Sequence, residues 1–145
     1  MKKEDLTERT KRFALRIIEL VASLPKNRVA NVIGYQIMKS GTSIGANYRE
    51  AKRARSQADF VAKIGICEQE TDETLYWLEL LSESGVVSPY RLTELIDEAN
   101  QLLAIFIASS KTAKRKDSLK YLVIPHSAFI IPHSYPLMKK GLDGR

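Results

Sequence analysis

The chain has 145 residues, 44% hydrophobic and 28% charged, an ordinary balance for one globular domain with a sizeable core. Its formal net charge of +6 permits binding to nucleic acid or another polyanion without requiring it. A single cysteine, Cys67, excludes an internal disulfide, no apolar run approaches the ~20 residues of a membrane span, and the N-terminus carries no apolar signal region, so the cytoplasm is the expected compartment.

The first predicted helix covers residues 5–24. Asp5 is placed to cap it, with Glu8 in the reciprocal position of a capping box. Leu6, Phe13, Ile17, Leu20, Val21 and Leu24 recur at three- and four-residue steps on one face. Pro25 stops the helix, because the residue before a proline is pushed out of the α region. After a short connection, a second helix is predicted over residues 29–54, with Ile33, Ile37, Ile44, Tyr48 and Ala51 as its apolar stripe. Gly34, Gly41 and Gly45 interrupt it. Each costs about 0.5–1 kcal/mol relative to alanine, so their presence points to another backbone packing close by. The alternative is a helix broken by a loop near Ser40-Gly41-Thr42.

Ser56 and Asp59 open a third predicted helix as a capping box. It runs to about Ser84, with Phe60, Ile64, Cys67, Thr71, Leu75, Leu78 and Leu81 on one face, and Gly85 is placed to end it. Ser88 as N-cap and Pro89 in the first turn start a fourth. Its stripe is Leu92, Leu95, Ile96, Ala99, Leu102, Leu103 and Phe106, and it frays in the basic run Lys111, Lys114, Arg115, Lys116. Four amphipathic helices on short connections predict an all-α, antiparallel up-down-up-down bundle over residues 1–116. Residues 117–145 lose the helical period, hold Pro125, Pro132 and Pro136, and repeat Ile-Pro-His-Ser; they are expected to be an extended or disordered tail.

Two features of residues 36–63 do not belong to an ordinary helix. Gln36, Ser40, Ser43, Asn47 and Glu50 follow a heptad spacing in polar residues. If buried they must be hydrogen-bonded, to Thr71, Thr74 or Glu70 of the third helix or across a contact between subunits, so they are read as a helix-packing or oligomer interface. Arg49, Lys52, Arg53, Arg55 and Lys63 then form a basic cluster at the join of the second and third helices, suited to phosphate groups. The competing reading is a solvated helix end whose charges pair with the acidic third helix: Glu68, Glu70, Asp72, Glu73, Glu79 and Glu83.

The segment Gln36 to Ala51 resembles the 23S rRNA-intervening-sequence proteins at Gln36, Lys39, Ser40, Ser43, Ile44, Ala46, Asn47, Tyr48, Glu50 and Ala51. Ser56, Asp59, Phe60 and the Glu70-to-Leu75 spacing extend the resemblance, which covers about residues 10–110. It implies a four-helix bundle that assembles as a homopentamer. A related bundle, the accessory variability determinant of diversity-generating retroelements, is a basic pentamer that acts with a reverse transcriptase and binds nucleic acid. RNA or a ribonucleoprotein is thereby kept open as a partner.

Catalysis and metal binding find little footing. Neither His126 nor His133 lies in residues 1–116, which argues against a serine–histidine pair around Ser40 or Ser43. A di-metal bundle site wants Glu-x-x-His pairs that do not occur, and two histidines in the tail do not make a zinc site. Cys67, on an apolar stripe, reads as a small core residue. At least one of Tyr76 and Trp77 should be exposed or at a subunit contact. The expected protein is therefore non-enzymatic, with no catalytic or metal residues and no cofactor. It is either a module that binds RNA through the basic cluster or a structural homo-oligomer that scaffolds a protein partner.

Overall fold

A computed structural model describes residues 4–122. Its elements are α1 (Leu6–Ala22), α2 (Arg28–Lys52), α3 (Gln57–Glu83), a 3-10 turn (Pro89–Leu92) and α4 (Thr93–Leu122). Caps fix most of the boundaries. Asp5 Oδ1 accepts from the Thr7 amide at 3.1 Å, one residue short of the amide a capping box uses. Ser56 Oγ accepts from the Asp59 amide at 3.0 Å, as the sequence predicts. Asn27, unassigned in the sequence reading, caps α2 by accepting from the Ala30 amide at 2.9 Å. Gly85 ends α3 with φ of 78°, the left-handed conformation glycine adopts without steric cost.

Two boundaries differ from expectation. Ser88 makes no side-chain cap; its carbonyl accepts from the Arg91 amide at 3.0 Å, so the chain passes through a 3-10 turn before α4 begins at Thr93. α4 then continues past Lys116 to Leu122, because no glycine or proline occurs between Asp117 and Leu122 to stop it. The remainder of the predicted tail, with its prolines and both histidines, lies outside the described residues.

Contacts between helices establish their directions. Gly34, Gly41 and Gly45 of α2 face Val21, Ile17 and Thr10 of α1 in turn, so α2 runs back along α1. Glu50, Ile44 and Ser40 of α2 face Lys63, Cys67 and Thr74 of α3, again in opposite sense. Arg9 reaches Glu98 and Gln101 while Arg16 reaches Glu94, so α4 runs against α1. The result is an antiparallel up-down-up-down bundle.

The predicted stripes converge on one core. Phe13, Ile17, Leu20, Ile33, Ile37, Ile44, Ile64, Cys67, Leu75, Leu78, Leu81, Leu92, Leu102 and Phe106 are buried in it, with Leu6, Val21, Leu24, Tyr48, Phe60 and Trp77 packed at its edges. Each fully buried large side chain contributes roughly 1.5–3 kcal/mol. Tyr76 is exposed while Trp77 is half-buried, so the pair divides between solvent and core as the sequence implies.

α2 is continuous through Ser40-Gly41-Thr42; no loop breaks it. Its glycines do mark a close approach, but side chains rather than backbone fill the space. A Cβ on Gly41 would lie 2.9 Å from Ile17 Cγ1, and one on Gly34 would lie 2.9 Å from Leu24 Cδ1. The glycines are holes that receive α1 knobs.

Candidate nucleic-acid interface

The polar line on α2 turns out to face α3, and its centre is buried. Ser40 is 1% exposed and Thr74 fully enclosed, with their hydroxyl oxygens 2.9 Å apart across the two helices. Each hydroxyl also lies within reach of its own helix: Ser40 Oγ is 2.9 Å from the Gln36 carbonyl and Thr74 Oγ1 is 2.7 Å from the Glu70 carbonyl. A hydroxyl has one proton, so whichever residue donates across the helices leaves the other to donate to its own backbone. Both are satisfied either way. Gln36, Ser43 and Asn47 are half-buried beside them. Ser43 Oγ donates to the Lys39 carbonyl at 2.6 Å and Asn47 Nδ2 to the Ser43 carbonyl at 2.8 Å, bonds made within α2 itself. Glu50, at the end of the line, is exposed and accepts from Lys63 Nζ of α3 at 2.7 Å. The Lys63 ammonium is held above its ordinary pKa chiefly by that hydrogen bond, with Glu50 and Asp59 charge adding to it.

Cys67 lies just inside this contact. Its thiol is 3.7 Å from the Ile44 carbonyl, and burial pushes its pKa up to about 12. It is a protonated core residue, not a nucleophile. Burial also raises Glu70, helped by the neighbouring Glu73 charge and opposed by Lys39. Tyr48 packs its ring against Phe106 with centroids 6.1 Å apart, and burial raises its phenol likewise.

The five residues of the basic cluster separate into two groups. Lys63 is held by Glu50. Lys52 Nζ lies 3.1 Å from Thr7 Oγ1 and 3.8 Å from Asp5 Oδ2, tying the end of α2 to the start of α1. Arg49, Arg53 and Arg55 are exposed and form no ion pair among the described residues. The carboxylates of α3 from Glu68 to Glu83 do not neutralise them: among the described residues none makes a salt bridge. The ion pairs run elsewhere, as in the forked contact of Arg9 with Glu98 at 2.6 and 3.2 Å, which raises the Arg9 pKa, and the contact of Arg12 with Glu4.

The fold adds residues that the sequence reading left out of the site. Gln57 Nε2 donates to the Ala113 carbonyl at 3.2 Å, which sets the start of α3 beside the last third of α4. Lys111, Lys114, Arg115 and Lys116, all exposed, therefore share one end of the bundle with Arg49, Arg53 and Arg55. An up-and-down order of helices requires this end-to-end meeting, and that was the available signal. Among the described residues no group of three His, Cys, Asp or Glu side chains is arranged to hold a metal ion, and no helix is long and apolar enough to cross a membrane.

An all-α antiparallel bundle with a polar α2–α3 seam and a basic end is the class of protein these features define. Residues 2–108 match the family model of the 23S rRNA-intervening sequence protein, and the chain belongs to that family. It is also similar to a protein of unknown function from the S23 ribosomal protein family of Bacteroides thetaiotaomicron VPI-5482, whose crystal structure at 1.70 Å superposes with a TM-score of 0.69. Identity there is 36%, over 74% of this chain and 99% of that one. No curated protein matches the sequence.

Proposed function

We propose that the chain is a non-enzymatic assembly module of the cytoplasm that binds RNA or a ribonucleoprotein through the basic end of the bundle. The observation that carries this reading is the meeting of two cationic runs, at 49–55 and 111–116, at the junction of Gln57 with Ala113. Four of these cations, Arg49, Arg53, Arg55 and Arg115, are arginines without an ion-pair partner among the described residues, and arginine is the side chain best matched to phosphate. Phosphate contacts of this kind release counterions, so binding falls steeply as salt rises. In a titration of structured RNA at several salt concentrations, replacing Arg49, Arg53 and Arg55 with glutamate should weaken binding at least tenfold and flatten the salt dependence. Absence of binding at low salt, or binding indifferent to the three substitutions, overturns the proposal.

A second reading, a homo-oligomer that scaffolds a protein partner, is favoured by a different surface. Val29, Val32 and Tyr35 step along α2 at three-residue intervals with Tyr35 65% exposed, and Leu15 and Ile18 are exposed on α1. Apolar rows of this kind mark contact surfaces, and the homopentamer implied by the family resemblance would cover them. A stable monomer by light scattering would overturn self-association.

A further inference from the structure

α1 begins at Leu6, and Arg9, one turn later, already reaches Glu98 and Gln101 of α4. α4 continues for about six turns beyond Gln101, to Leu122. Past the first of those turns it has no α1 beside it. The space α1 would occupy is an open groove of about 370 Å³ between α3 and α4, with Gln57 and Phe60 on one wall and Ala108, Ser109, Thr112 and Lys116 on the other. Its chemistry is specific. Phe60 packs against the core yet remains partly exposed to the groove. The facing wall is built of small side chains, which leave a slot beside the ring. The hydroxyls of Ser109 and Thr112 have no side-chain hydrogen bond among the described residues. Gln57 Nε2 spends one of its two N–H donors on the Ala113 carbonyl, which leaves the second N–H and the acceptor Oε1 without a side-chain partner among the described residues. Arg55 stands two residues before Gln57, and Lys111 and Arg115 stand one turn along the helix from Ala108 and Thr112. The carboxylates nearest in sequence, Asp59 and Asp117, are outnumbered.

Resting on the proposed RNA-binding reading, we infer that this groove receives an unpaired nucleobase, so that the basic end prefers single-stranded nucleic acid to duplex. An aromatic platform with cations around it is how single strands are held: phosphates on the charges, a base on the ring. In a duplex the base faces are already stacked and cannot enter. An apolar peptide would fill the slot without using the surrounding charge. The occupant that satisfies both the ring and the cations is a base carrying its own phosphates.

The test compares the full chain's binding, by fluorescence anisotropy at fixed salt, to a short oligouridine, to an abasic strand with the same number of phosphates, and to a duplex of the same length. The base-bearing single strand should bind at least about fivefold more tightly than the abasic one. Phe60 supports the core, so the groove is better blocked from its exposed wall: Thr112→Trp should abolish that factor and leave the salt dependence unchanged. Equal affinity for the base-bearing and abasic strands, both still salt-dependent, overturns the base pocket while sparing the basic-end reading. Loss of all salt-dependent binding overturns both. A preference for bases that survives Thr112→Trp places the base elsewhere on the chain, and a change in particle mass caused by that substitution gives the groove to a second copy; either result overturns the inference.

Discussion

The two sides of α2 are held by different physics. Toward α1, Gly34, Gly41 and Gly45 are recesses filled by α1 side chains, and attachment depends on shape. Toward α3, Ser40 and Thr74 share a buried hydrogen bond and Glu50 pairs with Lys63, and attachment depends on matching polar groups. A steric seam fails first on added volume; a buried hydrogen-bonded seam fails also on the loss of a polar partner. One helix thus fixes its register twice, by independent means.

The steric seam should break more severely. A Cβ at Gly41 would lie 2.9 Å from Ile17 Cγ1 and 3.1 Å from Cγ2. Both atoms branch from Cβ of a fully buried residue, so neither can swing aside. Gly41→Ala gains about 0.5–1 kcal/mol of helix propensity but incurs overpacking of about 1–3 kcal/mol, for an expected net loss of about 1–2 kcal/mol in urea unfolding. The same substitution in an Ile17→Ala background should change sign and stabilise, because the obstructing atoms are gone. A loss that persists in that background would show that Gly41 is required for something other than room for Ile17.

Much of this was legible in the sequence, and the omissions have physical reasons. The glycines and the polar heptad each announced an anomaly in α2; the glycines receive side chains from the segment before α2, while of the heptad Ser40 and Glu50 bond to α3 and Ser43 and Asn47 bond within α2. Asp5, Ser56 and Gly85 could be read as caps because capping is local chemistry. Asn27 is as good a cap but follows Pro25 and Lys26, where no apolar periodicity yet marks a helix. The basic run at 49–55 was visible as a run. Its union with 111–116, and the groove beside Phe60, depend on how far α4 outlasts α1, and helix ends relative to one another are set by packing. The exposed carboxylates of α3 looked like partners for the arginines only because both occur in one stretch of chain; in the fold the charges lie at different heights along the bundle.

The polar seam predicts a smaller effect and a different pattern. Thr74→Val keeps the buried shape and removes the hydroxyl. Ser40 can still donate to the Gln36 carbonyl at 2.9 Å, so no donor is stranded. The expected cost is about 1 kcal/mol. Adding Ser40→Ala to Thr74→Val should cost little more, since the cross-helix bond is already lost, and a double-mutant cycle should return a coupling of about 0.5–1 kcal/mol. Additive losses would mean that the two hydroxyls act separately and that the seam is not held by their bond.

The smallest effect is the one that reaches beyond the single chain. Gly65, in the middle of α3, has nothing within 4 Å of where a Cβ would stand, in contrast to Gly41. It borders a shallow groove between α3 and α4 lined by Val61, Ile66 and Lys114 among others. Considered within one chain, Gly65→Ala has only helix propensity to act on, and should stabilise by about 0.5–1 kcal/mol. Considered in an assembly, the added methyl would meet whatever lies on that surface. Measuring unfolding at several protein concentrations, with particle mass from light scattering, separates the cases: stabilisation independent of concentration leaves this face of α3 open, whereas destabilisation with a fall in mass places a second copy against Gly65 and makes its missing side chain a fourth steric recess, this one between subunits.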